Sequence, residues 1–200
     1  MRASSFSLTG TYAGLGALNY GAESNLEVKN LLVAEADPDV VSMTIQKRLR
    51  YRDEEGRLRS HVFDLVKTLR SGIVVHDAVK PKAKHERSGI HAVIAAFRAQ
   101  RQDRRAFFQV VDEDMLPDWR VANAVLTKKA LDEPDPDADD RLFEALCTAD
   151  GPLTVEEAGR RAGLGNRALA AAARLLRNRE IALVGGRLLE ICSAIVIAEQ

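Results

Sequence analysis

Asp64 in HVFDLV and Lys80 in VVHDAVK stand sixteen positions apart, in two segments that alternate like β-strands. If the first alternates throughout, Asp64 shares a face with Val62 and Val66, an apolar setting in which a carboxylate is costly unless paired or bound to metal. On the second, Lys80 falls on one face with Val74, His76 and Ala78, near the mouth of the same hairpin, so the two side chains can meet. A pair of carboxylates with a lysine suits phosphodiester hydrolysis. Hard Mg²⁺ takes oxygen ligands, keeps several waters, polarises a phosphate and generates hydroxide. The lysine stabilises the charge that develops on the phosphate or orients the attacking water. A second carboxylate is available in ESNLEVKN, where Glu23 and Glu27 lie four apart at a helix start. Glu27 can supply it, although the Ser24 to Glu27 spacing is also that of a helix-capping box.

The elements that must position these residues follow from periodicity and punctuation. Leu26, Val28, Leu31, Leu32 and Ala36 recur at three- and four-residue steps, which predicts a helix from Glu23 to Ala36, stopped by Asp37-Pro38. Three strands are expected next, in SMTIQKRLRY (Ser42 to Tyr51), in LRSHVFDLVKTL and in GIVVHDAVK, separated by RDEEGR and Arg70-Ser71-Gly72 turns. A basic helix is expected from Lys84 to Arg105, with Ile90, Val93, Ile94 and Phe97 on one side, then a strand in AFFQVV (Ala106 to Val111). The order α-β-β-β-α-β implies an α/β layer architecture with a mixed sheet. Residues 1–22, rich in glycine and serine, read as an N-terminal arm.

Residues 117–131 are again helical in pattern. DEPDPDADD (132–140), with two prolines and six acids in nine residues, reads as an acidic linker. Beyond it RLFEALCTA, TVEEAGRRAGL and NRALAAAARLLRNRE predict three short helices, and IALVGGRLLEI predicts a hairpin around Gly185-Gly186. Three helices and a hairpin make residues 141–200 a winged-helix-like domain, with Asn166 to Arg179 in the recognition-helix position.

SNLE (Ser24 to Glu27), VVSMTIQ, HVFD (His61 to Asp64), AVKP (Ala78 to Pro81), a basic helix and FFQVVDED, in this order, resemble the N-terminal domain of TnsA-like transposon endonucleases, the nuclease subunits of heteromeric transposases. The resemblance covers residues 20–125. It implies a restriction-endonuclease-like core over residues 23–131 and a metal-dependent activity that cuts the 5′ ends of a transposon. It makes Glu27 the catalytic glutamate, Asp64 the metal-binding aspartate and Lys80 the catalytic lysine, and leaves Glu23 without a role. Mg²⁺ is the implied cofactor, with Mn²⁺ able to substitute. The implied partners are transposon-end DNA, a DDE-type transposase subunit and an ATPase regulator. The family often carries Gln or Glu two residues before the lysine, where this chain has Ala78. The Val79 carbonyl can still ligate a metal, and His76, or Asp77 after a local bulge, can compensate. The same departure leaves open a weakened nuclease-fold module that binds DNA or assembles a transposition complex.

DNA contacts are expected from Lys82, Lys84 and Arg87, on a stretch that continues through Arg98, Arg101, Arg104 and Arg105, and from Arg167 and Arg174 in the C-terminal domain. His61, His85 and His91 are expected to pack or face solvent. Formal net charge is zero, so any nucleic-acid surface must be local. Hydrophobic residues at 46% and charged residues at 29% fit a folded chain with a sizeable core. Cys147 and Cys192, unaccompanied by a CxxC pair, fit a reducing cytoplasm. No run is apolar and long enough for a signal peptide or a membrane span.

Overall fold

The computed structural model describes the backbone of Gly10–Ala13 and Asn19–Ala22 and residues 25–101 and 103–199. It forms two compact units, Met1–Pro117 and Asp118–Gln200. In the first, β1 (Gly10–Ala13) and β2 (Asn19–Ala22) pair as an antiparallel hairpin within the segment expected to be an irregular arm. Then come α1 (Asn25–Ala36), β3 (Val40–Arg52), β4 (Leu58–Leu69) and β5 (Val74–Val79). Two crossover helices, α2 (His85–Ser88) and α3 (Ile90–Gln100), lead to β6 (Ala106–Val111). Glu23 and Ser24 lie outside the described residues.

The four-stranded sheet has the order β3-β4-β5-β6, antiparallel as far as β5 and parallel between β5 and β6. The unit is therefore mixed α/β, with its elements in the α-β-β-β-α-β order read from the sequence. A parallel neighbour needs a long crossover, which α2 and α3 supply. The basic helix expected from Lys84 to Arg105 is broken by Gly89, whose φ of +62° caps α2 in the left-handed region.

Each face of the sheet carries its own apolar cluster. Phe63, Val66, Ala78, Ile90, Ile94, Phe97 and Phe108 join α3 to one face, with Phe97 and Phe108 stacked at 5.2 Å. Leu31, Ala34 and Leu65 join α1 to the other, packed by Met43 and Ile45. Strict alternation fails in between. Met43 and Ile45 belong to the α1 side and Leu49 and Tyr51 to the α3 side, although all four are odd-numbered. The switch falls at Gln46, which has a φ of +53° and lies across from Asp64 where the β3–β4 register skips one pair. Such a φ in a non-glycine residue costs about 1–3 kcal/mol. On β4 the same break puts Phe63 and Val66 in one cluster, so Asp64 does not simply share the face of Val66.

The second unit begins earlier than the sequence pattern implied. Helix α4 (Asp118–Asp132), expected to close the first domain, packs instead on the C-terminal elements α5 (Pro136–Cys147), β7 (Leu153–Thr154), α6 (Val155–Arg161), α7 (Ala168–Arg177), β8 (Ile181–Leu183) and β9 (Ala194–Ile197). Its Asn123 donates to the Arg187 carbonyl and accepts the Leu189 N–H. Helix α6 packs tightly on α7, and a Cβ on Gly159 would lie 2.4 Å from that of Ala168. The sheet order is β7-β9-β8. The hairpin is wider than expected, because Ile181–Leu183 pairs with Ala194–Ile197 and Leu189, assigned to the return strand, is buried in the intervening loop.

The acidic linker expected at 132–140 is largely helix. Asp135 caps α5 by accepting the Ala138 N–H, Pro136 occupies the first turn, and Ala138 is fully buried. These acids and their carbonyls surround Arg174, which is only 5% exposed. Its guanidinium binds Asp139 at 2.8 Å and donates to the carbonyls of Ala130, Glu133 and Asp135. Removing one member of a buried ion pair costs about 3–5 kcal/mol. Arg174→Ala is accordingly expected to lower the denaturant midpoint by a free energy of that order, whereas Arg160→Ala, at an exposed position of α6, leaves it within about 0.5 kcal/mol. Equal midpoints for the two variants would contradict this role.

Candidate functional site

The ladder between β4 and β5 stops at Leu65 opposite Asp77, and the strands part beyond it. Asp64 sits in this fork, where its Oδ2 accepts the Val79 main-chain N–H at 2.6 Å. An extended residue points its N–H and C=O to the same side of the strand, so the Val79 carbonyl also faces β4. Burial pushes the Asp64 carboxyl up to about 6. The Val79 N–H opposes that rise, the Glu27 carboxylate adds to it, and the Lys80 ammonium lowers it. Glu27 and Lys80 are thus each within electrostatic reach of Asp64, and the Val79 main chain is in hydrogen-bond contact with it.

Glu27 is placed by α1. Residues 27, 30, 31 and 34 lie on one helical face, and of these Asn30, Leu31 and Ala34 are buried against the sheet. Asn30 donates through Nδ2 to Asp77 Oδ2 at 3.1 Å, which fixes the rotation of α1 one turn beyond Glu27. Asp77 has no exposed surface. It also accepts from Lys67 Nζ at 2.8 Å and from Gln109 Nε2 at 2.6 Å.

Asp77 therefore cannot compensate for Ala78 as a ligand, since its oxygens are taken by three donors. His76 cannot either. It is enclosed by aromatic rings, stacked on Phe108 at 4.5 Å and edge-on to Phe63. Ala78 itself is 1% exposed within the apolar cluster. Among the described residues no group of three or more His, Cys, Asp or Glu side chains is placed to hold a metal ion. The oxygen donors at the fork are two carboxylates and one main-chain carbonyl. That set suits a hard cation that retains water.

Lys80 is anchored through its backbone. Its N–H donates to the Val111 carbonyl, and its own carbonyl lies 2.9 Å from His85 Nε2. A carbonyl only accepts, so Nε2 carries the hydrogen, and His85 Nδ1 lies 3.2 Å from His91 Nε2. His85 is thus a structural partner of the site and not a residue of a solvated helix face. His61 meets Phe63 edge-on at 4.9 Å, and burial and Lys80 both lower its pKa.

The expected DNA contacts divide. Lys84 and Arg87 are exposed just after Lys80. Lys82 is exposed but pairs through Nζ with Asp114 and through its N–H with Glu113. Arg98 donates twice to the Phe108 carbonyl. Arg167 is held by Asp135 at 2.9 Å and Asp137 at 3.3 Å, and the buried Arg174 has no donor left for a phosphate. Both cysteines are free and exposed. No described helix is long and apolar enough to cross a membrane.

No known family model matches the chain, and no curated protein matches it in sequence.

Because the fold favours the acid form of Asp64, its ionisation opposes folding. The cost is absent below the ordinary carboxylate value near 4, grows as pH rises and is complete above about 6, where it is about 3 kcal/mol. Asp64→Asn, which retains an acceptor for the Val79 N–H, is expected to stabilise the metal-free protein by about 1–3 kcal/mol near pH 8 and by nothing near pH 4. Urea unfolding at the two pH values checks this, and a gain independent of pH would contradict it.

Proposed function

We propose that this chain is a metal-dependent DNA endonuclease subunit of a heteromeric transposase, of the TnsA-like kind, which hydrolyses phosphodiester bonds at the 5′ ends of a transposon. In this reading the first unit is a restriction-endonuclease-like core and the second a winged-helix-like domain. The observation that carries it is the Asp64 carboxyl, raised to about 6 at a strand fork where the charges of Glu27 and Lys80 also act. A half-buried acid that opposes folding and faces a second acid is a group kept for chemistry.

Glu27, Asp64 and the Val79 carbonyl would hold Mg²⁺, or Mn²⁺ in its place. When bound, the cation supplies Lewis-acid polarisation of the phosphate and a water acidic enough to act as nucleophile. The Val79 N–H holds the Asp64 carboxylate in one orientation. The Lys80 ammonium places positive charge where the phosphate accumulates negative charge, and His85 fixes the Lys80 main chain. Lys84 and Arg87 lie where they can contact the DNA backbone. A DDE-type transposase subunit and an ATPase regulator complete the proposed assembly.

Ala78 favours a second reading, a catalytically weakened nuclease-fold module that binds DNA or assembles a transposition complex, because neither it nor the enclosed His76 and Asp77 can add a ligand. Calorimetric titration with Mn²⁺ separates the two. Binding that is lost in Asp64→Ala supports the enzyme, and no binding by the wild type supports the module.

With the transposase subunit and a labelled transposon-end duplex present, Mg²⁺ is expected to produce a nick at the 5′ end, and Lys80→Ala to slow it by about 100-fold or more. Unchanged cleavage in that variant would remove Lys80 from the mechanism. Asn30→Ala is expected to weaken Mn²⁺ binding by about 10-fold through loss of the Asp77 anchor behind Glu27. Unaltered affinity would disconnect that anchor from the site.

A further inference from the structure

Beyond the Asp64 fork, β3 and β4 continue as a ribbon whose basic residues have no part in the site described above. The strand reads KRLRYR from Lys47 to Arg52. Leu49 and Tyr51 pack toward α3, so Arg48, Arg50 and Arg52 project from the opposite face. In register they stand across from Val62, Ser60 and Leu58. All three arginines are exposed, as are Ser60 and Leu58, so no described helix covers this face. The face switch at Gln46 produces this arrangement. Without it Arg48 and Arg50 would point toward α3.

The charges of the ribbon fall into two groups. At the tip, Asp53 binds Arg57 at 2.9 Å and Arg59 at 3.0 Å, and Arg52 donates to the Gly56 carbonyl. Arg48 and Arg50 meet no carboxylate among the described residues. Their Cα atoms are about 7 Å apart along the strand, and Val62, opposite Arg48, is about 7 Å from Asp64. Phosphates on one strand of duplex DNA recur at about 3.4 Å along the axis, so two arginines at this spacing can each reach one. The guanidinium fork matches phosphate geometry in two parallel hydrogen bonds.

We propose that Arg48 and Arg50 form a phosphate-binding rail, which takes the backbone of duplex DNA immediately beside the phosphate held at the Asp64 fork. The rail rests on the endonuclease reading for the position of that phosphate. Its DNA contacts are independent of metal and of bond cleavage.

The test is fluorescence anisotropy of the full chain with a labelled mixed-sequence duplex, without divalent metal, across a series of salt concentrations. Arg48→Ala combined with Arg50→Ala is expected to reduce the slope of log affinity against log salt by about 2, because each neutralised phosphate contributes about 0.9. Arg57→Ala combined with Arg59→Ala removes the same formal charge from residues already paired with Asp53 and Glu55, and is expected to leave the slope nearly unchanged. Equal loss in the two pairs would mean a general charge effect and overturn the rail. So would an unchanged slope in the Arg48 and Arg50 pair, including the case in which that pair instead loses binding to the transposase subunit. Asp64→Asn in parallel is expected to bind DNA with the wild-type slope and, in a separate assay with Mg²⁺ and the transposase subunit present, to lose cleavage. Retained cleavage there would defeat the endonuclease reading while leaving the DNA contacts of Arg48 and Arg50 standing.

Discussion

A carboxylate with no exposed surface, Asp77, lies in the interior strand β5, and the first unit is organised around the need to satisfy it. An ionised acid in such a position costs several kcal/mol unless it is paired and its remaining lone pairs are hydrogen-bonded. The chain meets that requirement with three donors from three elements, Asn30 of α1, Lys67 of β4 and Gln109 of β6. The helix is consequently locked in rotation as well as in position, because only one of its faces brings Asn30 to β5. Glu27, one turn earlier on that face, is carried toward the strand fork as a result.

Asp64 and Asp77 show how neighbouring strands can assign opposite duties to the same residue type. Asp77 is surrounded by donors and serves the fold. Asp64 is half-buried and lies in the field of a second carboxylate, which its single main-chain N–H from Val79 does not offset, so its acid form is favoured and its ionised form opposes folding. The Gln46 backbone, with its positive φ across from Asp64, adds a second local cost at the same place. Costs concentrated at one end of a sheet, while the buried Asp77 beside it is fully paired, support the proposed site.

The elements around the fork were legible in the sequence because hydrophobic period and turn residues specify them locally. AFFQVV is a strand from Ala106 to Val111 as read, the three preceding strands occur in order, and Asp64 was recognisable as an acid in an apolar strand. Asp77 was not separable from it. Its partners lie 47, 10 and 32 residues away, and no local pattern links Asn30, Lys67 and Gln109. The same blindness produced the acidic linker. Two prolines and six acids look like solvated chain until Arg174, 35 residues beyond Asp139, is found buried among them. The face switch at Gln46 was hidden because a glutamine carries no signal for positive φ. The return strand was misplaced because RLLEI follows Gly185-Gly186 directly, as a tight hairpin would have it, whereas the strand that pairs with Ile181–Leu183 is AIVI farther on.

The central claim is that the Asp77 network delivers Glu27 to the fork occupied by Asp64 and Lys80, and that a divalent cation is held there. Anomalous scattering from crystals grown with Mn²⁺ tests this most directly. The expected result is one peak bonded to the carboxylates of Glu27 and Asp64 and to the Val79 carbonyl, with Asn30 still on Asp77. A Mn²⁺ peak elsewhere, with the Glu27 carboxylate turned away from Asp64, would contradict it.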